Sequence, residues 1–367
     1  IEKNIVMASY NNDFSIENLE TVKRYRTQED SVFFASREFG YRELAGAYDP
    51  FLETICDMFR KYGTDSFDAF MESCGVYELH REILRSYYEN GRCERNENVL
   101  LNEVTYEQER MTAAMAAMLK ALAAKHPIVL VINRFQMASR STFELVHELI
   151  IHPDMNIGMV LGVNDTVGRW ESVAEVWDGI EESLQDQSQL YHIGSSDRRR
   201  TERTEEYSLG EGYTDNVDID EDYDASIRKV ANIVEFLDYD QAKRYFREVE
   251  NKMKFEDAKM NNASKCVFYL LYARTSILLG ELSKALELIT EAGKMIPMGN
   301  EFRFRAQLDF LRGTCYMYQG KLDRAERYAD RAYEHAVQSG DEKQAFRAQL
   351  LKVMAQMSGW YNIFFCV

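Results

Sequence analysis

Two copies of one short pattern constrain this chain more than any other feature. Gly280-Glu-Leu-Ser-Lys-Ala285 and Gly320-Lys-Leu-Asp-Arg-Ala325 recur 40 residues apart. A repeat of that period holds one helix pair per copy. A single pair cannot bury its apolar side, so pairs have to stack. Small residues at Ala273, Ala285, Gly313, Ala325 and Ala332 let paired helices approach closely, and Tyr269, Tyr272 and Tyr316 fill the seams. A weaker copy ends in Asp240-Gln-Ala242-Lys-Arg-Tyr-Phe246. The last copy resumes at Phe346-Arg-Ala-Gln-Leu-Leu-Lys-Val-Met354, reaches Gly359-Trp360 and breaks off at Ile363-Phe-Phe-Cys-Val367. An apolar end is a poor capping surface. The expectation is a truncated last repeat, with the array continuing past residue 367 or the tail docking on a neighbour.

These residues resemble tetratricopeptide (TPR) repeats. From Cys266 to Pro297, Ala273 takes the eighth position, Gly280 the turn and Ala285 the twentieth, with Ile289, Ala292 and Pro297 in the remaining signature places. The next repeat places Gly313, Tyr316, Gly320, Ala325 and Ala332 likewise. The resemblance implies an α-solenoid over 225–367 with a concave surface for a protein or peptide partner.

The N-terminal half reads differently. Short β-branched or aromatic runs at Asn4–Ser9, Ser31–Ser36, Pro127–Asn133, Ile157–Val163 and Gln189–Ile193 have the character of buried strands. Helical patterns lie between them, at Leu19–Tyr25, Phe51–Tyr62 and Thr105–Lys125. Strands alternating with helices predict an α/β domain with a parallel sheet covered on both faces, over 1–195. Ser141 followed three residues later by Glu144 predicts a capping box opening a helix after the third strand.

The segment Pro127-Ile-Val-Leu-Val-Ile-Asn-Arg-Phe-Gln-Met-Ala-Ser139, with Ser141-Thr142-Phe143 after it, resembles the Walker B strand and following helix of STAND signal-transduction ATPases. These are regulatory relatives of the AAA+ ATPases. Ala47-Tyr48-Asp49-Pro50-Phe51 resembles the segment that follows their second strand, and the order of the five strands matches. The resemblance implies a P-loop NTPase-like sheet with flanking helices.

The catalytic signature of that family is absent. A P-loop needs glycines whose N–H groups close on phosphate, a Lys that neutralises it and a hydroxyl that holds Mg²⁺. Here Tyr10 and Ser15 stand for the glycines, Ile16 for the Lys and Glu17 for the Ser or Thr. Asp13 and Glu17 place negative charge where a triphosphate would lie. The Walker B acids are replaced by Asn133 and Arg134, and Ser139 replaces a further Asp. Asn accepts a hydrogen bond, but neither Asn nor Arg acts as a base. Val163-Asn164-Asp165 keeps polar groups at the place of a sensor residue. The expectation is a pseudo-ATPase: no catalytic residues, no bound cofactor and no enzyme activity.

Residues 196–224 change to a polar, then acidic linker, and the winged-helix module usual at this place in STAND proteins is missing. Asp218, Asp220, Asp222 and Asp224 alternate, but Tyr223 and Lys229 fall where a calcium loop needs Gly and Glu. Arg198–Arg200 sits beside Glu202, Glu205 and Glu206 and reads as a solvated run. His147 and His152 have no metal-ligand spacing, so no metal site is expected.

Composition narrows the role. The net charge of −17 repels phosphate backbones and argues against nucleic-acid contact by this portion. No run of apolar residues is long enough for a membrane span, and Ile1-Glu2-Lys3-Asn4 is no signal peptide. The start without Met predicts a piece of a longer protein. The cysteines at positions 56, 74, 93, 266, 315 and 366 form no CxxC pair, which predicts reduced thiols in a cytoplasmic protein. Three readings stand: a non-catalytic signalling or regulatory scaffold, as a monomer or an oligomer; a nucleotide-responsive STAND switch; and the sensory part of a larger transcription regulator or nucleotide cyclase.

Overall fold

The computed structural model describes residues 5–10, 22–23, 26–27, 32–40, 45–91, 104–152, 156–164, 174–187, 189–193, 223–255 and 260–365. The expected acidic linker, the loop positions Ser15, Ile16 and Glu17, and most of the helix expected at 19–25 lie outside them.

Five strands form one parallel sheet: β1 Ile5–Tyr10, β2 Phe33–Glu38, β3 Ile128–Asn133, β4 Ile157–Asn164 and β5 Leu190–Ile193. Their spatial order is β2-β3-β4-β1-β5, which puts β1 in the interior between β4 and β5. Side chains alternate between the faces, as the pleat requires. Ile128, Leu130 and Ile132 of β3 and Ile157, Met159 and Leu161 of β4 enter the main core. Val131 and Val160 point the other way and meet Tyr10, Val22 and Phe34. Both faces are covered, so β3 is apolar throughout until its last residue.

The strand expected at Ser31–Ser36 is displaced to Phe33–Glu38. The ladder begins where Phe33 N–H donates to Pro127 O at 2.8 Å and runs to the Glu38–Asn133 pair. Arg37 and Glu38 sit at the strand's polar end, where hydrophobicity gives no signal.

Helices α1 Phe51–Tyr62, α2 Phe67–Ser73, α3 Glu78–Asn90, α4 Val104–Lys125, α5 Arg140–Ile151 and α6 Ala174–Asp186 accompany the sheet. Phe135, Phe143 and Trp177 pack in the core with ring centroids 4.7 to 5.7 Å apart. Each such buried ring contributes roughly 2–3 kcal/mol relative to exposure.

The remaining helices are α7 Tyr223–Glu235, α8 Tyr239–Phe255, α9 Asn262–Leu278, α10 Leu282–Lys294, α11 Glu301–Tyr318, α12 Leu322–Ser339 and α13 Glu342–Phe365. The protein is therefore mixed α/β with a helical C-terminal region. It divides into two compact units. The first holds the sheet, its helices and the turn Glu235–Gln241; the second holds the rest of the C-terminal helices. Among the described residues, no helix is long and apolar enough to cross a membrane.

Candidate functional site

The carboxyl ends of parallel strands are where α/β proteins place ligands, and three strand ends here carry buried polar side chains. Tyr10 closes β1, Asn133 closes β3 and Asn164 closes β4, each almost wholly buried. The register lines them up, with Tyr10 opposite Asn164 and Glu38 opposite Asn133. Tyr10 Oη donates to Asn133 Oδ1, reaching across the end of β4. The same Oδ1 accepts from Arg134 N–H at 3.1 Å. Gln136, in the short 3₁₀ turn Phe135–Met137, both donates to Asn164 O and accepts from Asn164 N–H, each at 3.4 Å.

Two arginines stand at this edge and both are engaged by protein acceptors. Arg134, at φ +54°, donates to Phe39 O at 3.1 Å and pairs with Glu38 at 2.8 Å. Arg37 pairs with Asp49 through Nε and a terminal nitrogen, both at 2.9 Å, and lies over the Phe39 ring. Each guanidinium is thus paired with a carboxylate, Arg134 with Glu38 and Arg37 with Asp49.

Behind the edge, the start of α5 differs from the sequence expectation. The cap is Ser139, two residues before Ser141: Ser139 Oγ accepts from Thr142 N–H at 3.4 Å. Glu144 does not close a capping box but binds Arg140 at 2.8 Å. Ser141 is taken by another partner. Its Oγ and its N–H both donate to Asp238 Oδ2, at 2.8 and 3.2 Å, while Ser141 Oγ accepts from Tyr48 N–H at 3.0 Å. The first N–H groups of a helix have no partner within it. Here a local hydroxyl and a carboxylate from far along the chain supply acceptors, and the helix dipole favours that negative charge.

Asp238 is held from both sides. Its Oδ1 accepts from Gln241 N–H at 3.4 Å, as an N-cap to α8. Leu237, at φ +67°, turns the chain just before it, and Gln108 donates to Leu237 O at 2.6 Å. Phe236 packs edge-on to Tyr48 and Tyr87. Arg140 adds an ion pair to Asp240 at 3.2 Å. Burial raises the Asp238 carboxyl pKa, against the lowering effect of the Ser141 and Gln241 hydrogen bonds. Burial likewise raises Tyr48, whose hydroxyl meets Thr112 at 3.1 Å. Sequence reasoning missed Asp238. Its signal was an acid three residues before Gln241 at a helix start, D-x-x-Q, directly after an apolar run.

The repeat residues fall in the second unit. Ala273 and Ala285 are fully buried on α9 and α10; Ala325 and Ala332 are fully buried on α12. Gly280 and Gly320 take φ +76° and +71° at the turns, conformations that suit glycine. Gly313 marks a close approach: a Cβ there would lie 2.8 Å from Leu351 Cδ2 and 3.3 Å from the Ala325 carbonyl oxygen. Tyr316 stacks on Tyr328 at 5.5 Å. Pro297 lies between α10 and α11 and is half-buried. Polar ties join the helices at their rims, including Lys284–Glu250 at 3.1 Å and Lys352–Asp330 at 2.8 Å. Asp309, buried on α11, faces Arg331 and His335 of α12 at 3.3 and 3.2 Å, and burial raises its pKa.

Cys56, Cys266 and Cys315 are buried and Cys74 is half-buried, and none of the four is in a disulfide. Among the described residues, no group of three or more His, Cys, Asp or Glu side chains is placed to hold a metal ion. No protein-family model matches the chain, and neither the curated proteins nor the solved structures give a match.

Proposed function

We propose that this chain is a non-catalytic regulatory scaffold. In this reading the α/β unit is a P-loop NTPase-like domain of the STAND type that no longer works on nucleotide. The helical unit is a TPR-type array that binds a protein or peptide partner. The parallel order β2-β3-β4-β1-β5, with β1 interior, supports the first half. Helix pairs joined at Gly280 and Gly320 and packed through small residues support the second.

One observation carries the pseudo-ATPase reading. The end of β3, where a working domain of this type needs a carboxylate, presents an amide whose oxygen is taken up by the Tyr10 phenol and a backbone N–H. An amide does not accept a proton at neutral pH, and a guanidinium offers donors and no acceptor. Arg134 is moreover paired with Glu38.

Thermal denaturation of the full chain with and without Mg·ATP tests this. The expected result is an unchanged midpoint at millimolar nucleotide. A nucleotide at 100 times its Kd would stabilise by about 2.7 kcal/mol. A rise of that order would overturn the reading in favour of a nucleotide-responsive switch.

A further inference from the structure

The repeat changes its charges from one copy to the next. Two ion pairs tie α8 to the start of α10: Lys243 with Glu281, and Lys284 with Glu250 at 3.1 Å. Lys284 also lies over the Tyr272 ring at 5.5 Å. At the positions 40 residues on, Lys243 becomes Ser283, Glu250 becomes Thr290, Glu281 becomes Lys321 and Lys284 becomes Arg324. Both carboxylates are gone. The Thr290 hydroxyl donates to Leu286 O at 2.9 Å. Lys321 and Arg324 are exposed and lie over the Tyr316 ring, at 5.9 and 5.5 Å. Among the described residues neither has a carboxylate partner, and Lys321 donates to Gln319 at 2.8 Å.

The positive stretch continues along α12. Tyr316 stacks on Tyr328, and Arg312 and Arg331 lie over the Tyr328 ring at 6.0 and 5.2 Å. The buried Asp309 carboxylate stands 3.6 Å from Arg312 and 3.3 Å from Arg331. Each guanidinium carries several N–H donors, so one carboxylate orients the pair without satisfying it. The acids around this face are engaged or lie apart. Glu326 and Asp330 face Lys352, and Glu291 binds Lys294. Asp323 and Glu334 share the next row of α12 with Arg327, and Glu287 is exposed on α10 without an ion pair to these cations among the described residues.

We propose that the α11–α12 face around Tyr316 and Tyr328 binds a carboxylate-rich stretch of a partner protein. The partner supplies the acids that Glu250 and Glu281 supply within the chain one copy earlier. This names the partner's chemistry and rests on the reading of the helical unit as a partner-binding array. From Lys321 to Arg331 the cations span about 15 Å at the rise of a helix. Charges strung over that length fit a run of acidic residues and not one phosphate. The rings hold the cations in place, so less side-chain freedom is lost on binding. In a chain of net charge −17, the surface as a whole repels such a ligand, and this face is where it finds counter-charge.

The experiment is fluorescence anisotropy of the full chain with a labelled octaglutamate peptide at low salt. The expected result is saturable binding that weakens as salt rises. Lys321→Glu with Arg324→Glu should weaken it about tenfold or more. Thr290→Glu restores an acid where Glu250 stands one copy earlier, and should weaken binding several-fold by occupying Arg324 from within. Lys343→Glu, at an exposed place on α13, should change it by less than about twofold. All four positions are exposed, so circular dichroism and melting should match the parent protein. If the double variant loses helicity, Lys321→Ala with Arg324→Ala replaces it and should also weaken binding. Absence of saturable binding, or a folded double variant that binds as the parent does, overturns the proposal. So does displacement of the peptide by inorganic phosphate well below the ionic strength at which sodium chloride displaces it, which would assign the face to a single phosphoryl group. The melt with Mg·ATP is read separately, so a failed titration removes the acidic partner and leaves the scaffold reading to its own test.

Discussion

The two units bring backbone segments together by opposite means. In the α/β unit, the turn Glu235–Gln241 is held at the start of α5 by a buried carboxylate, two donors on Ser141 and an ion pair between Arg140 and Asp240. In the helical unit, α11 and α12 approach through the missing side chain of Gly313, where a Cβ would lie 3.3 Å from the Ala325 carbonyl oxygen. The first arrangement is directional: each donor needs its own acceptor, and losing one strands the other. The second is steric: it tolerates any chemistry small enough and nothing larger. The first unit should therefore be sensitive to polar deletions and the second to added methyl groups.

The sharpest test of that contrast is Asp238→Ala. It removes the acceptor of Ser141 N–H and of Gln241 N–H in a buried place, while Ser141 Oγ keeps Tyr48 N–H and Ser139 Oγ as partners. Stranding buried donors costs about 1–3 kcal/mol for each group fully unsatisfied, so a loss of about 3 kcal/mol or more is expected in urea unfolding. A loss under about 1 kcal/mol would mean that the carboxylate's own burial cost cancels its bonds, and the contrast would fail.

A second polar pair in the same unit gives a pH signature. His80 is buried on α3, with Nε2 2.9 Å from a Glu107 carboxylate oxygen. Burial first, and the Arg110 charge second, push its pKa down to about 4 from the usual 6.5. A histidine depressed in the folded state stabilises the protein above its unfolded pKa. That contribution is lost as pH falls through the folded value. The window is thus pH 6.5 down to about 4. At about 1.4 kcal/mol per unit the loss is no more than about 3–4 kcal/mol, reduced by whatever Glu107 gives the imidazolium. Unfolding free energies across that window should fall more steeply for the parent than for His80→Gln. Parallel profiles would show that the imidazole ionises as freely when folded as when unfolded.

The same contrast explains what could be read in advance. Steric packing repeats along the chain, so Gly280 with Ala285 and Gly320 with Ala325 mark helix pairs in the sequence itself. The five apolar runs announced strands for a similar reason, since a strand buried on both faces is apolar along its length. The polar network left no periodic trace. Ser141 looked like a cap because its spacing to Glu144 matches one, yet its hydroxyl is used 97 positions away by Asp238. Arg37 and Glu38 were invisible as strand because strand ends become polar where they leave the core. The Tyr10–Asn133 contact spans 123 positions. The amide at Asn133 is plain in the sequence, but the partner that occupies it is not.

Two glycine-to-alanine substitutions in the helical unit carry the comparison to its smallest effects. Both Gly293 and Gly313 lie inside helices, where alanine gains up to about 1 kcal/mol over glycine. At Gly293 a Cβ would meet only Leu308 Cδ1, at 3.9 Å, an ordinary contact. At Gly313 it would overlap Leu351 Cδ2 at 2.8 Å, and Leu351 is itself buried beside α11 and has little room to turn. Overpacking of this kind costs about 1–3 kcal/mol, which outweighs the helical gain. Gly293→Ala should therefore raise the unfolding free energy by a few tenths to about 1 kcal/mol, and Gly313→Ala should lower it by about 1 kcal/mol. Urea unfolding of the two variants beside the parent decides it. If both stabilise, the helices at Gly313 are not in steric contact, and close approach through small residues does not hold this unit together.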